Sequence, residues 1–486
     1  MKFDANTILL GDSLFRDTTS YPDKFRVIEP RSSITSDSLQ YFNSIINGNT
    51  SVLDGLENTS SITSKNYKVN SILNNKVDFA RAFFLTGGNY HAAKGFIEVV
   101  PLVLSMGFNT VEGWYINYRA HYHFEKKESQ IRFSPYLRYG LASKRWLPRA
   151  EIYYQFNPKD PVKVVIEGGA KYQQFNELEP IIPIINTAYS LILSNNYLKL
   201  YQMEYINFKF DKEIFRGLEA VFSFEAGRRT ALFNNTDFTI FSDGNDYTPN
   251  NPERTLVISS KDGFRTHNMN IINLQLYYQF GRRYDFVNNE LRKLESPLPR
   301  LSFLYRKGFG YNEGMPNYSF IRFSAGNKTR LKDIGLFEFD LVFGGFYNVE
   351  HIEFVDFQHF NGVQTSFINN SYDGWTDVRQ FSTLPYYDYS TSKSYIEVHL
   401  KHRFLGWLLS KPALTREFNL QSYVGTNYLY TGDVGHYSEV YFGVENIFKV
   451  INLQTALGVD QDEKVRFSVL VGINFDLTFY LNARER

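Results

Sequence analysis

The chain of 486 residues contains no cysteine, which excludes a disulfide framework and a thiolate metal site. Acidic and basic side chains nearly balance at a net charge of +1, so the chain has no large positive charge that would favour nucleic acid as a partner. The sequence contains no run of about eighteen uncharged apolar residues, so no transmembrane helix is predicted. Phosphate-cradling, dinucleotide and zinc-protease motifs are also absent, and we expect no cofactor. The first residues show no signal peptide, and we interpret the sequence as a mature or truncated form.

Aromatic residues, in contrast, are abundant at 17% of the chain, with 35 Tyr and 44 Phe, a composition that favours β-strands. In residues 111–124, apolar residues such as Trp114 and Ile116 occupy even-numbered positions, and polar residues such as Asn117 and Arg119 occupy odd-numbered positions. We call these alternate sets of positions the apolar and the polar parity. Successive strand side chains point to opposite faces, so this segment has one apolar and one polar face. The segments 129–141, 146–157 and 162–174 repeat the pattern.

A soluble β-sandwich and a membrane barrel both produce such alternation. The alternating segments run about twelve residues or more, whereas soluble strands typically run about five or six. Their polar parity carries Arg, Lys, His and Glu together, as the lining of a water-filled lumen does. A mean hydropathy of −0.33 agrees, because only alternate residues need to face lipid. The pattern therefore predicts an all-β, closed antiparallel transmembrane β-barrel.

We predict about sixteen barrel strands, an even number. Their segments are 96–107, 111–125, 129–141, 146–157, 162–174, 198–211, 216–230, 265–282, 300–310, 317–330, 335–348, 391–404, 416–430, 434–447, 451–460 and 464–477. The three longest connections, 175–197, 231–264 and 349–390, all follow odd-numbered strands and so lie at one end. Outer-membrane barrels have long outer loops, so this end is assigned to the outside and the N-terminus to the periplasm.

Two domains follow from this division of the chain. Residues 1–95 are predicted to be a periplasmic or linker segment with short helices, one of them within 36–46, and residues 96–486 to be the barrel. The apolar stretch 181–193 predicts a further short helix, packed in the lumen or at the membrane surface.

Several segments resemble a known family. They are FNTVEG at 108–113, VDFQHFNG at 355–362, LPYYDYST at 384–391, YIEVHLKHRFLG at 395–406 and YVGTNYLYT at 423–431. Together they resemble the Bacteroidota outer-membrane β-barrels of unknown function that often follow a carboxypeptidase-regulatory-like domain. The resemblance covers roughly residues 26 to 477 and implies an outer-membrane barrel without an established activity. The regulatory-like domain of the longer members is not found in this sequence.

Polar-parity side chains form the predicted lumen lining. They are Arg119, His121, His123, Arg132, Arg138, Glu151, Lys163, Glu167, Lys171, Glu225, Glu338, Asp340, Glu397, His399 and Arg403. His121 and His123 lie two apart on one strand and resemble half of a metal site. No third ligand can be placed beside them from sequence, so lumen lining is the preferred interpretation and no metal is assigned.

The 349–390 connection is rich in aromatic residues that can bury themselves, and we predict that it folds inward or caps the barrel mouth. The residues assigned to this loop gate are Asp356, His359, Phe360, Tyr386 and Tyr387. An alternative is an acyl-transfer triad of Asp356, His359 and Ser390, which requires that these groups lie within hydrogen-bond reach of one another. No nucleophile-elbow pattern supports that alternative.

The sequence thus favours a non-enzymatic outer-membrane protein of transport, translocation or envelope assembly, with a loop-gated polar lumen. Outer-membrane lipid and lipopolysaccharide are the expected partners, with envelope proteins as further partners. An integral-membrane hydrolase or acyltransferase, and a scaffold that docks partner proteins, remain as alternatives.

Overall fold

The computed structural model describes residues 82–473 except 93, 127–128, 158, 242–245, 253–263, 288–289, 295, 311–313, 333, 368–377, 405–419 and 449–450. The helix predicted within residues 36–46 lies outside these residues. No helix in the described ranges is both long and apolar enough to cross a membrane.

Within the described residues, eighteen strands form one antiparallel sheet, and two more form a separate hairpin. The strands are β1 (Gly88–Ala92), β2 (Gly95–Val99), β3 (Met106–Asn109), β4 (Gly113–Lys126), β5 (Ser129–Gly140), β6 (Arg145–Phe156), β7 (Val162–Gln174), β8 (Leu200–Phe215), β9 (Leu218–Ala231), β10 (His267–Gln279), β11 (Arg283–Val287), β12 (Glu290–Leu294), β13 (Arg300–Gly308), β14 (Asn317–Leu331), β15 (Gly335–His351), β16 (Tyr395–Arg403), β17 (Gln421–Thr431), β18 (Gly435–Ile447), β19 (Ile451–Asp460) and β20 (Val465–Ile473). The main helix, α1 (Pro183–Leu193), lies between β7 and β8.

The long strands are organised by the two-residue period of their side chains. In β18, Glu439 is 1% exposed while its neighbour Val440 is 56% exposed. Phe323 and Phe343 on β14 and β15 are likewise exposed. One face of the sheet is therefore apolar and exposed, and the other, here called the polar face, is largely covered. A water-soluble sheet would bury its apolar face instead.

The predicted count of sixteen strands is wrong. Fifteen of the predicted segments each overlap one long strand, but residues 96–107 do not form a single strand. Pro101 and the 3₁₀ turn Leu102–Ser105 interrupt this segment, because proline cannot donate a backbone hydrogen bond to a sheet. The segment therefore contributes the short strands β2 and β3, which both pair with β4. Strand β1 precedes the segment and pairs with β2.

The connection 283–299, which lies between two predicted strands, contains the hairpin of β11 and β12. Closure of the sheet is also not observed in the described residues. The order runs from β1 through β2 and β4 to β20, and among the described residues no strand pairing joins β20 to β1, β2 or β3. The fragmentation of the first segment leaves no long strand against which β20 could pair.

The antiparallel order places the three long connections at the same end of the sheet. They follow β7, β9 and β15, strands that run in the same direction. The first of these connections contains α1, so residues 181–193 form the helix that their apolar character predicts. Helix α1 packs against β3: the Phe108 backbone N–H donates to the Thr187 hydroxyl at 3.0 Å.

Candidate functional site

The connection between β15 and β16, residues 352–394, lies against the polar face of the sheet. We call it the inserted loop; it is described except for 368–377. Its five predicted gate residues are all buried: Asp356, His359, Phe360, Tyr386 and Tyr387. Phe381 and Leu384 of the same loop are essentially inaccessible and pack with strand residues such as Tyr437. The loop is therefore a packed part of the protein interior rather than a surface excursion.

A buried ion pair fixes the beginning of the loop. Arg229 on β9 donates to the Asp356 carboxylate at 2.6 Å, and both side chains are at most 3% exposed. The Tyr318 hydroxyl on β14 donates to the same oxygen at 3.1 Å. A buried charge is tolerated only with such partners, so this pair fixes where the beginning of the loop lies against the sheet.

A second anchor holds the loop near its end. The Glu439 carboxylate on β18 accepts hydrogen bonds from the backbone N–H groups of Ser382 at 2.6 Å and Thr383 at 2.9 Å. It also accepts from the Thr383 hydroxyl and the Asn427 amide, at 2.9 and 2.6 Å. Charge-assisted bonds of this kind are about twice as strong as neutral ones. One carboxylate of the sheet thus binds the loop through its backbone.

Further polar contacts reach the neighbouring strands. Gln454 on β19 donates to the Ser382 hydroxyl at 2.7 Å, and Ser468 on β20 donates to the Ser382 carbonyl at 2.8 Å. Arg379 of the loop pairs with Asp340 on β15 at 3.0 Å. With the two anchors, the loop contacts side chains of β9, β14, β15, β17, β18, β19 and β20. One short segment can reach strands so far apart in the order only because the sheet curves around it.

Many predicted lining residues form cross-strand ion pairs on the polar face. Four pairs join neighbouring strands: Arg132 with Glu151 at 2.9 Å, Arg149 with Glu167 at 2.7 Å, Lys163 with Asp211 at 3.4 Å, and Arg403 with Glu338 at 3.4 Å. Arg138 on β5 pairs with Glu112 in the turn before β4. Lys171 lies over the Tyr205 ring, and Glu397 contacts His399 at 3.3 Å. Arg119 and Glu225 lie half-buried on β4 and β9. The alternation therefore places opposite charges side by side across the strands.

The two histidines of β4 have different surroundings. His121 is buried and contacts the Ser134 hydroxyl at 2.7 Å, whereas His123 contacts Glu98 at 3.3 Å. Their ring centroids are 6.4 Å apart. In the part of the chain that the structure describes, no group of three or more His, Cys, Asp or Glu side chains has a metal-binding arrangement.

The three residues of the alternative triad are brought together only in part. The His359 Nδ1 atom contacts the Ser390 hydroxyl at 2.7 Å. The Asp356 carboxylate, however, accepts from Arg229 and Tyr318 and forms no hydrogen bond with His359. The group that would orient the histidine is thus committed to anchoring the loop. We therefore assign no catalytic role to this cluster.

The aromatic residues of the loop are neutral at physiological pH. Burial raises the pKa of Tyr386 to about 12 and also raises the pKa of Tyr387. Their rings therefore act as packing groups in the cluster that includes Phe175 and Phe354.

Sequence reasoning missed the main anchors on the strands, Arg229 and Glu439. Both lie on the polar parity of predicted strands, and that parity was the available signal. Arg229 and Asp356 are 127 residues apart in sequence, and Glu439 and Ser382 are 57 apart. Periodicity within one segment contains no information about such distant partners.

Comparison with known proteins gives one family match and several weak structural similarities. No curated protein matches the chain. BamA from Haemophilus ducreyi lacking POTRA domains 1–3 is 8% identical with a TM-score of 0.42, covering 80% of this chain and 76% of that one. The outer membrane protein opdK from Pseudomonas aeruginosa is 9% identical with a TM-score of 0.31, covering 75% and 95%. CdiB from Acinetobacter baumannii is 10% identical with a TM-score of 0.33; 75% of this chain is covered, and it spans 58% of that protein.

The family model spans most of the chain, from residue 82 to residue 444. This range includes the sheet from β1 to β17 and most of β18, together with α1 and the inserted loop. Four of the five quoted sequence segments lie entirely within the part of the range that the structure describes. The predicted membership of a family of unknown function is confirmed, while the Bacteroidota origin stays a prediction. The chain belongs to the family of unknown function DUF5686, of which it contains the C-terminal domain.

Proposed function

We propose that this chain is a non-enzymatic outer-membrane β-barrel protein of transport, translocation or envelope assembly, whose polar lumen is gated by the inserted loop. The supporting observation is the docking of residues 352–394 through Arg229 and Glu439, two charged groups of the strands. The exposed apolar face would contact outer-membrane lipid and lipopolysaccharide, and the long connections would face outward.

The assignment as a membrane barrel is supported by the exposure of the apolar side chains and the covering of the charged ones, which is the reverse of the arrangement in a water-soluble protein. Phe467 on β20 is 68% exposed, as are comparable apolar residues on the other long strands, while the charged side chains lie on the opposite face. Exposed apolar surface of this extent is unfavourable in water but favourable in lipid. The chain would therefore need detergent or lipid to remain dispersed.

The gating assignment is supported by the kind of contact that holds the loop. If the loop leaves, Glu439 and Arg229 remain on strands and can be solvated by water in the lumen. A loop held only by apolar packing would instead expose that apolar surface on release. Release therefore leaves no charge both buried and unpaired, which lowers the cost of the released state and supports a gate.

Planar-bilayer conductance with Glu439→Gln tests the gate. The amide would present an N–H group where the Ser382 or Thr383 backbone also donates, so the anchor is broken without a change of shape. Glu445→Gln on the same strand and face is the matched control, because Glu445 pairs with Lys401 and Arg403 and not with the loop. Both variants remove one negative charge from the polar face.

We expect Glu439→Gln to increase the open probability or the mean conductance relative to both the native protein and Glu445→Gln. Deletion of residues 350–389 should give a larger, permanently open conductance. If native, Glu439→Gln and deleted proteins all fail to conduct after verified insertion, the lumen is not a pore and the proposal is refuted.

A further inference from the structure

The edge of β20 that faces away from β19 meets the inserted loop rather than a strand. The Val471 N–H donates to the Ser366 carbonyl at 2.7 Å, and Phe367 forms a parallel bridge with Val471. Among the described strands, only β19 pairs with β20. An unpaired strand edge presents a row of backbone donors and acceptors that can recruit another strand. The loop covers part of this row.

The edge of β3 that faces away from β4 is covered in a similar way by α1. The Thr187 hydroxyl accepts from the Phe108 N–H at 3.0 Å, and the Asn186 amide donates to the Phe108 carbonyl at 3.3 Å. Side chains of a helix thus take the positions that the backbone of a neighbouring strand would occupy.

Among the described residues, one hydrogen bond joins the two covered edges. The Ser366 N–H donates to the Tyr189 hydroxyl of α1 at 2.6 Å. A path of contacts therefore runs from β3 through α1 and Ser366 to β20; we call this path the seam. By comparison, β19 and β20 are joined by a register of nine residue pairs. Within the part of the chain that the structure describes, the seam is consequently a weak lateral connection compared with an ordinary pair of strands.

We propose that the seam opens to admit an extended strand of a partner polypeptide whose side chains alternate between apolar and polar. A polypeptide backbone supplies both the N–H and the C=O groups that these edges match, whereas a lipid has no such repeating pattern. The alternation is required because Val465, Phe467 and Val469 of β20 are exposed on the apolar face while Ser468 lies on the polar face. An added strand must continue both faces.

This inference goes beyond the proposed function, because strand addition at the seam does not require that the lumen conduct. It also differs from release of the inserted loop at its anchors. The seam contacts are at Ser366, Tyr189 and Thr187, whereas the anchors are Arg229 and Glu439. The two processes can therefore be perturbed separately.

The native chain contains no cysteine, so the pair Phe367→Cys and Val471→Cys can lock the seam with one disulfide. Directly opposed residues of neighbouring strands lie within the distance range that a disulfide spans. A second variant, Tyr189→Phe with Thr187→Val, loosens the seam by removing two hydroxyls with little change of shape. The probe is a fluorescent peptide with the sequence of β4, GWYINYRAHYHFEK, and its scrambled form is the control.

Peptide binding is measured by fluorescence anisotropy against the full chain in lipid nanodiscs, with empty nanodiscs as the blank. We expect the loosened variant to bind the β4 peptide about tenfold or more tightly than the oxidised, locked variant. Reduction of the disulfide should restore native binding, and the scrambled peptide should not distinguish the variants. Unchanged β-sheet circular dichroism verifies that each variant is folded.

Two outcomes would overturn the inference. If the cysteine pair does not form a disulfide in the folded protein, the loop does not cover the β20 edge. If the locked and loosened variants bind the β4 peptide equally, or if neither binds it, the seam does not admit a strand. Conductance of the same preparations reports on the gate independently of these results.

Discussion

Replacement of Asp356 by Asn should release the beginning of the inserted loop. The substitution preserves the shape of the side chain but leaves the Arg229 guanidinium, 3% exposed, without an ionised partner. Removal of one member of a buried ion pair typically costs about 3–5 kcal/mol. We expect the lower end, about 3 kcal/mol, because the amide oxygen still accepts a hydrogen bond.

Hydrogen exchange followed by mass spectrometry measures this release directly. The Val363 and Phe381 amides donate to Leu384 and Asn361 within the loop, so their protection reports on the docked conformation. A loss of about 3 kcal/mol corresponds to roughly a hundredfold loss of protection, if the loop opens locally. Amides in the strand registers should be unaffected.

Asp211→Asn is the matched control for this prediction. Asp211 lies on β8 and pairs with Lys163 at 3.4 Å, so its replacement removes the same charge from the same face without touching the loop. The double variant Asp356→Asn with Arg229→Gln should recover part of the protection, because no unpaired buried charge remains. Equal protection in the native protein and Asp356→Asn would refute the anchoring role of the ion pair.

Three further predictions address the sheet, the foot of the loop and its packing. Phe467→Lys on the apolar face should cost about 2–4 kcal/mol in urea unfolding from lipid vesicles if this residue lies near the bilayer midplane; a cost below about 0.5 kcal/mol is typical of a water-exposed site and would contradict a lipid-facing position. Partial burial raises the pKa of Asp433, but hydrogen bonds from Thr391 and Lys393 outweigh it and lower the pKa. The resulting stabilisation is present above the unfolded pKa and is lost as pH falls below about 4, so loop exchange should accelerate there in the native protein and not in Asp433→Asn. Phe381→Ala should destabilise the docked loop by about 3–5 kcal/mol by leaving a cavity, measured by the same exchange; an effect under about 1 kcal/mol would show that the loop repacks.

The long strands could be predicted because each contains its own alternation. The segment 434–447 predicts a strand, and β18 spans Gly435–Ile447. The prediction failed where alternation is poor, in residues 96–107, where Pro101 interrupts the sheet. A long alternating pattern is therefore enough to predict a strand. Where alternation is poor, a single residue such as Pro101 can interrupt the strand.

The partners within the candidate site could not be predicted in the same way. The aromatic composition of the 349–390 segment indicated that it buries itself, and Phe360 and Phe381 are buried. It contained no indication that Asp356 would meet Arg229, since this pairing depends on the curvature of the whole sheet. The sequence therefore also allowed the Asp356 carboxylate to lie beside His359. In the structure it pairs instead with the Arg229 guanidinium, because a charge-assisted hydrogen bond is the stronger contact.

The arrangement of charge would allow the sheet to remain stable if the inserted loop were released. The strand registers consist of backbone hydrogen bonds that do not involve the loop, so its departure leaves them intact. Cross-strand pairs such as Arg132 with Glu151 also keep their partners when the polar face becomes wet. The two anchors and the other polar contacts of the loop would exchange a protein partner for water, and such exchanges change the free energy far less than exposure of apolar surface does. If the loop is the proposed gate, the cost of its release is therefore concentrated in its aromatic residues, and this cost would make the docked state the resting one.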